Sequence, residues 1–280
     1  MRAELELREG PGSFVFSDAA APSGSLRVFF FCPKPSRSDS RIVVAMHGLD
    51  RAASDFRDVL AGQAGRSRQI VLVPEFDKVQ FPDAYAYNYG NVMRPQSSEA
   101  PANRRLWNFG IVERLFEEVR DAIGSKRKSF GLFGNSAGAQ FVLRYLALTE
   151  GPAVDRAVAA NSGWYMLPDL SIDYPVGMGG LDLDESHLRR YLGRRLIVLL
   201  GDADTDSAAP DLPRDEAAMA QGPHRLARGL WHFDHCKRLA DRLGTPFGWT
   251  LEIVPGAGHV DQAIYDRGAL NLGAAKRRNR

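Results

Sequence analysis

The sequence predicts an α/β fold with one sheet of about eight strands, mostly parallel, and helices on both faces. Two observations carry the prediction. Short apolar runs rich in β-branched residues alternate along the chain with longer amphipathic stretches, as happens where strands cross over through helices. Most of these runs are continuously apolar, which is typical of strands covered on both faces.

Eight strands are expected in chain order, each a short apolar run between turn-forming or amphipathic segments. They are Phe14 to Ser17, Leu26 to Cys32, Ile42 to Met46, Ile70 to Val73, Ser129 to Phe133, Arg156 to Ala160, Leu196 to Leu200 and Trp249 to Val254.

Five helices are expected between or after these strands. Ser54 is placed to cap the first, which runs to about Gly65. The others are Leu106 to Ile123, a central buried helix from Ala137 to Leu148, a helix opened by Gly222 and Pro223 and closed by Gly244, and Val260 to Leu272. The fourth has an apolar stripe expected to be its buried face: Leu226, Leu230, Phe233, Cys236, Ala240 and Leu243.

Composition indicates an ordinary globular protein. The chain has 280 residues, with 36 Lys+Arg against 34 Asp+Glu, so its formal net charge of +2 does not indicate nucleic acid or an anionic membrane as a partner. We expect one domain over residues 1–280, with an N-terminal strand and loop region at 1–25 and a solvated, disordered basic tail at 274–280. The oligomeric state stays open.

The cysteines and the lengths of the apolar runs indicate the cellular compartment of the protein. Cys32 and Cys236 form no C-x-x-C pair or zinc spacing and are expected to be buried as small apolar residues. The start of the chain lacks the apolar stretch of a secretory signal, and no apolar run is long enough to span a membrane. A cytoplasmic protein is expected.

The candidate nucleophile is Ser136, in Gly134-Asn135-Ser136-Ala137-Gly138, between a predicted strand and the buried helix. This is the strand, sharp turn and helix that a G-x-S-x-G nucleophile elbow requires. A serine hydroxyl is a weak nucleophile, so it needs a base, and the base needs an orienting acid.

His259 and Asp204 are the expected base and acid, because each follows a predicted strand directly. The order Ser136, Asp204, His259 matches the nucleophile, acid, base order known for such elbows. Asp202 and Asp206 share the loop of Asp204, and Asp206 is the second choice for the acid. An EF-hand is excluded, since Ser207 and Pro213 stand where that loop needs Gly and Glu.

The expected oxyanion donors are the backbone N–H groups of Leu49 and Ala137. Leu49 belongs to Met46-His47-Gly48-Leu49-Asp50, which follows a strand, and Ala137 follows the nucleophile. His47 is interpreted as a brace for this loop, with a catalytic base as the weaker alternative.

On these residues the sequence resembles the α/β-hydrolase superfamily from Ile42 to about Leu272. The His47-Gly48-Leu49 loop and the lack of an inserted lid domain resemble its serine esterase and polyhydroxybutyrate-depolymerase-like branch. The resemblance implies ester hydrolysis through an acyl-enzyme, with a small-molecule ester as substrate and neither metal nor organic cofactor. Amide or thioester hydrolysis on the same machinery, or a noncatalytic binding protein, are the alternatives.

Three long connections, 74–105, 161–183 and 201–221, leave the carboxyl ends of predicted strands, where α/β sheets bind ligands. Trp164, Tyr165 and Tyr87 lie in them and are expected to contact substrate, the alternative being that they anchor the loops. His232 and His235 have a spacing that can hold a metal, but without a third ligand we expect them to face solvent.

Overall fold

The computed structural model describes residues 5–36, 38–93, 101–151 and 153–273, in which eight strands form one sheet. The strands, in chain order, are β1 (Gly10–Ser17), β2 (Ser25–Cys32), β3 (Arg41–Met46), β4 (Gln69–Pro74), β5 (Phe130–Asn135), β6 (Val154–Ala160), β7 (Leu196–Gly201) and β8 (Thr250–Val254). All eight predicted strands are confirmed, with shifted ends.

The order of strands across the sheet is β1-β2-β4-β3-β5-β6-β7-β8. β1 pairs antiparallel with β2, and β2 pairs antiparallel with β4, whereas every pair from β4 to β8 is parallel. Every residue of β4, β5 and β7 is buried, as expected for strands covered on both faces. The carboxyl ends of β3, β5, β7 and β8 therefore meet at one edge of the sheet.

Seven α-helices complete the described part of the chain. They are α1 (Ala53–Arg66), α2 (Phe109–Ala122), α3 (Ala137–Leu148), α4 (Glu185–Gly193), α5 (Glu216–Met219), α6 (Arg225–Leu243) and α7 (Gln262–Gly273). α1 and α7 cover one face of the sheet and bury one apolar cluster, while α2, α3, α4 and α6 bury a larger cluster on the other face. The α/β prediction is confirmed.

The helix after the serine is the most buried helix of the described residues. All twelve residues of α3 are buried, which confirms the prediction of a central buried helix. Its N-terminus lies at the carboxyl end of β5, so the residue between the two elements is held by the sheet on one side and by the core on the other.

The buried face of α6 differs from the predicted stripe. Arg225, Arg228, Gly229 and His232 are buried along with Cys236 and Ala240, whereas Leu230 is 41% exposed. The predicted stripe is confirmed in part, since Leu226, Phe233 and Leu243 also pack against the core. The buried face extends beyond it because the arginines donate hydrogen bonds to backbone carbonyls and ion-pair with carboxylates, which allows polar side chains to be buried. The prediction that His232 faces solvent is wrong: its ring stacks on Tyr165.

Smaller differences concern helix ends. Ser54 lies inside α1 and makes no cap, since Ala52 occupies the N-cap position. The helix expected from Leu106 is instead a 3₁₀ turn, Arg104–Leu106, followed by α2. Gly244 does close α6, with the left-handed φ of 59° that favours glycine.

Two helices were missed, α4 and the four-residue α5. The sequence signals of α4 were present, since Asp184 caps it through the backbone N–H groups of Ser186 and His187, and Leu188, Tyr191 and Leu192 form its buried side.

The cysteine prediction is confirmed, because Cys32 and Cys236 are buried and free. Of the helices that the structure describes, none combines the length and the apolar character needed to cross a bilayer. The basic tail, 274–280, lies outside the described residues.

Candidate active site

Ser136 lies in the turn between β5 and α3, with φ 56° and ψ −117°. A non-glycine residue rarely adopts such angles, and this strain is typical of functional turns. The two flanking glycines explain how the turn closes: a Cβ on Gly134 would collide with the Gly138 carbonyl, and a Cβ on Gly138 with the Met46 carbonyl. The sharp turn predicted from the sequence is present, and the serine hydroxyl reaches the cleft.

Three side chains from separate loops form a continuous hydrogen-bonded line. Ser136 Oγ lies 3.1 Å from His259 Nε2, and His259 Nδ1 lies 2.9 Å from Asp204 Oδ2. A carboxylate only accepts, so Nδ1 carries a proton and donates a hydrogen bond to Asp204, which leaves Nε2 free to accept one from the hydroxyl. The structure therefore brings together Ser136, His259 and Asp204.

The three aspartates of the loop after β7 have separate partners. Only Asp204, 4% exposed, contacts the imidazole. Asp202 accepts from the Gly256 N–H at 2.6 Å and so ties this loop to the one that carries His259, while Asp206 accepts from the N–H of Ala208 at 2.8 Å. Asp206, the second choice for the acid, therefore closes a local turn instead.

His47 is buried in the loop after β3. Its Nε2 accepts a hydrogen bond from the Phe76 N–H at 3.1 Å, and the Tyr87 hydroxyl donates to the His47 carbonyl at 2.7 Å. Burial is the main cause that lowers the pKa of His47 to about 4, so the ring is neutral at pH 7. With the Nδ1 contact to the Gly48 carbonyl at 3.1 Å, these hydrogen bonds fix the loop, as expected of a brace.

The loop that His47 holds runs beside the nucleophile. A Cβ on Gly48 would lie 3.9 Å from the Ser136 Cβ. Leu49 and Ala137 both line the space next to Ser136, the former after a strand and the latter at the N-terminus of α3. The residues chosen as oxyanion donors thus both border the space next to the serine.

Two connected spaces meet at Ser136. The cleft, about 530 Å³, contains His259 and is lined by Leu49, Asp50, Asp55, Asp211 and Tyr265 among others. The small pocket, about 120 Å³, is lined by Ser136, Ala137, Asn88, Gln140 and Trp164 among others, and His259 is not part of its wall.

The predicted substrate contacts divide into two groups. Trp164 lines the small pocket. Tyr87 and Tyr165 are both fully buried and line neither space: Tyr87 packs on Arg51 and His47, and Tyr165 packs on His232. Their position corrects the expectation of substrate contact and agrees with the alternative that loop aromatics anchor long connections.

Sequence reasoning missed Arg225 and Asp211. The Arg225 side chain is 3% exposed, lies 3.6 Å from Asp204 Oδ1 through Nη1, and contacts Asp211 Oδ1 at 2.7 Å through Nη2. Partial burial acts to raise the pKa of the Asp211 carboxyl, but the hydrogen bond and charge of Arg225 outweigh it, so the pKa is lowered. One sequence signal could have identified Arg225: it lies in the first turn of a helix, where the helix dipole disfavours a cation, so a nearby carboxylate is expected.

A metal site is not suggested by the side chains. Within residues 5–36, 38–93, 101–151 and 153–273, no group of three or more His, Cys, Asp or Glu is placed to hold an ion. His235, which shares a helix with His232, stacks on Trp231.

Solved structures more than 30% identical to the chain match it over nearly its whole length. Poly(aspartic acid) hydrolase-1 from Sphingomonas sp. KT-1 is 36% identical with a TM-score of 0.90, covering 96% of this chain and 100% of that chain. LpqC, a poly(3-hydroxybutyrate) depolymerase from Bordetella parapertussis, is 33% identical with a TM-score of 0.87, covering 94% and 89%. No protein-family model and no curated protein sequence matches the chain.

A more distant structure shares the fold. The S-formylglutathione hydrolase from Agrobacterium tumefaciens is 16% identical, with a TM-score of 0.57, covering 94% of this chain and 95% of that one. The sheet order, the elbow and the two matches above 30% identity define a hydrolase. The chain belongs to the α/β-hydrolase superfamily, in its serine esterase and polyhydroxybutyrate-depolymerase-like branch.

Proposed function

We propose that the protein hydrolyses carboxylic esters through an acyl-enzyme, with Ser136 as nucleophile, His259 as general base and Asp204 as orienting acid. The observation that carries the proposal is the line of two hydrogen bonds, 3.1 Å and 2.9 Å long, that links the three side chains. A hydroxyl in this line can pass its proton to Nε2 as its oxygen attacks a carbonyl.

The reaction proceeds in two halves. Ser136 Oγ bonds to the carbonyl carbon, its proton moves to His259, and the N–H groups of Leu49 and Ala137 stabilise the oxyanion. His259 then gives the proton to the leaving alkoxide. A water molecule, deprotonated by the same imidazole, releases the acid and restores the hydroxyl.

The two spaces take the two parts of the substrate. Because His259 protonates the leaving group, the leaving alcohol lies in the cleft, whose wall includes the imidazole. The acyl part then lies in the small pocket beside Ala137, whose volume of about 120 Å³ suits a short acyl group. Trp164 forms part of its wall.

Amide hydrolysis is the second candidate, because the 36% identical structure is a poly(aspartic acid) hydrolase. The charges of the cleft argue against an anionic polymer here. Among the described residues of its lining, Asp50, Asp55 and Asp211 carry charge, and none is Lys or Arg. Carboxylates at the mouth repel poly(aspartate) and leave a neutral ester favoured.

The test is a panel of p-nitrophenyl esters from acetate to palmitate, with one amide and one thioester, and labelling by a fluorophosphonate probe. We expect ester cleavage that falls with acyl length, and labelling of Ser136. Ser136→Ala and Asp204→Asn should lose activity, while the matched control Asp206→Asn should keep it. Near-wild-type turnover of Ser136→Ala, or no labelling of the wild type, would end the proposal.

A further inference from the structure

The residue directly before the nucleophile has a buried side-chain oxygen with no hydrogen-bond partner. Asn135 is 3% exposed and lines the cleft beside Ser136 and His259, and its Oδ1 makes no hydrogen bond with any residue that the structure describes. Buried amide oxygens in native proteins are nearly always paired with protein or water, because an unpaired one loses its hydration without compensation. An unpaired acceptor next to the two reacting groups therefore indicates that a molecule bound in the cleft supplies the donor.

The pleat of the sheet decides which of the two spaces Asn135 borders. Phe133, two positions earlier on β5, packs in the apolar cluster that α1 and α7 bury, and residues two apart on a strand share a face of the sheet. The Asn135 side chain accordingly lies on the side of α1 and α7, where Phe56 and Tyr265 line the cleft with it. The small pocket is built against α3 on the opposite face, and Asn135 is not part of its wall. Asn135 therefore borders the space of the leaving group and not that of the acyl group.

The same space receives the water that ends the proposed reaction. This water attacks the acyl-enzyme from the position that the alcohol has left, where His259 Nε2 takes one of its protons. The second proton stays on the water oxygen and needs an acceptor. The three carboxylates of the cleft are exposed, and one of them, Asp211, is already bonded to Arg225. The buried, neutral and unpaired oxygen of Asn135 is the better candidate.

We infer that Asn135 positions the water that hydrolyses the acyl-enzyme, by accepting a hydrogen bond from the proton that this water retains. The inference rests on the proposed function. The water oxygen bonds to the acyl carbon, one proton moves to His259 Nε2, and the other stays on the oxygen of the carboxylic acid that forms. The bond between the carbon and Ser136 Oγ then breaks, and His259 returns its proton to Oγ.

Such an acceptor distinguishes water from an alcohol as the attacking nucleophile. An alcohol in the same place has a single hydroxyl proton, which goes to His259, and a carbon substituent where water has its second proton. It therefore leaves Asn135 Oδ1 unpaired, and a site discriminates against a molecule that leaves one of its buried polar groups unpaired. Asn135 thus favours hydrolysis over transfer of the acyl group to an alcohol.

The experiment measures how one acyl-enzyme divides between two nucleophiles. p-Nitrophenyl butyrate is cleaved in buffer that contains a fixed concentration of methanol, and gas chromatography gives the ratio of butyric acid to methyl butyrate. Because both products come from the same acyl-enzyme, this ratio does not depend on the amount of active enzyme or on the rate of acylation. Asn135→Leu, similar in shape but without the acceptor, should lower the ratio about tenfold, which corresponds to about 1.4 kcal/mol.

A second readout separates the two halves of the reaction. Asn135→Leu should keep kcat/KM for the p-nitrophenyl ester near the wild-type value, because that constant reports acylation, while kcat falls and a burst of p-nitrophenol appears. Asn135→Asp retains an oxygen at this position, so its acid-to-ester ratio should lie above that of Asn135→Leu.

The matched control is an asparagine away from the site. Asn271 lies on α7, binds Glu252 and lines neither the cleft nor the small pocket, so Asn271→Leu should have the wild-type ratio. Circular dichroism establishes that each variant is folded.

The outcomes separate this inference from the function on which it rests. An Asn135→Leu variant with the wild-type acid-to-ester ratio overturns the role of Asn135 and leaves ester hydrolysis standing. Tyr265 carries the other neutral hydrogen-bonding side chain of the cleft besides the serine and the histidine, so a fall in the ratio for Tyr265→Phe but not for Asn135→Leu overturns it as well. A protein that cleaves none of the p-nitrophenyl esters overturns the proposed function, and this inference with it.

Discussion

Arg225 is expected to stabilise both the fold and the geometry of Asp204. Its side chain and that of Asp204 are each 3% exposed, and the two charged groups lie 3.6 Å apart. Arg225→Met would leave the Asp204 carboxylate buried with its hydrogen bond to His259 but without its nearest cation. The same change removes the contact with Asp211, whose carboxylate is 41% exposed and is screened by water.

The loss of stability expected for Arg225→Met follows from its buried partner, Asp204, alone. Removing one member of a buried ion pair costs about 3 to 5 kcal/mol, and the retained hydrogen bond to His259 places this case at about 3 kcal/mol. For a chain of this size, that corresponds to a fall in Tm of about 6 to 10 °C. Activity should fall as well, because Asp204 loses a contact that helps to hold it against the imidazole.

Thermal unfolding followed by circular dichroism measures the stability, and ester hydrolysis measures kcat and KM. Arg225→Lys keeps the charge but cannot reach two carboxylates through two separate nitrogens, so it should recover only part of the loss. Arg242→Met removes an exposed arginine from the last turn of the same helix and serves as the control. A wild-type Tm for Arg225→Met would refute the reasoning.

Two other predictions concern buried groups that the proposed reaction does not use. Burial is the main cause that lowers the pKa of His232 to about 3, against 6.5 for the exposed ring. Above pH 6.5 neither state binds this proton, whereas below it the unfolded state binds it first, so stability falls as the pH falls from about 6.5 toward 3. Between pH 7 and 5, denaturant titrations should show the wild type losing about 2 kcal/mol more than His232→Phe, and equal losses would contradict the assignment. The Tyr165 hydroxyl is buried without a partner, while that of Tyr87 donates to the His47 carbonyl. In the same titrations Tyr165→Phe should keep or raise the free energy of unfolding and Tyr87→Phe should lower it by about 1 kcal/mol; the opposite order would show that the hydroxyl contacts are misread.

Local sequence signals identified the strands and the turn around Ser136. A continuous apolar run of strand length, such as the one that became β7, is buried on both faces wherever it lies in the sheet, so its type could be read without tertiary contacts. The clash that Gly134 avoids is similarly local, because it comes from the Gly138 carbonyl of the same turn, whereas Gly138 avoids the Met46 carbonyl of the neighbouring strand β3.

Local signals did not identify the whole buried face of α6, because its apolar residues allowed the helix more than one orientation. The buried face contains Arg228 because two carbonyls accept its hydrogen bonds. One belongs to Gly222, just before the helix, and the other to Gly163, in a distant loop. Such partners are brought into place only when the chain has folded. The same holds for Tyr165, whose aromatic character indicated burial somewhere but not behind the cleft.

The amino-acid order alone therefore determined the succession of strands and helices and the sharp turn at residue 136, because these depend on neighbours within a few positions. Only the tertiary structure decided which aspartate of the loop after β7 reaches His259, and that a buried arginine stands behind it. Those outcomes depend on distances between loops that are separated by tens of residues, and no local pattern specifies such distances.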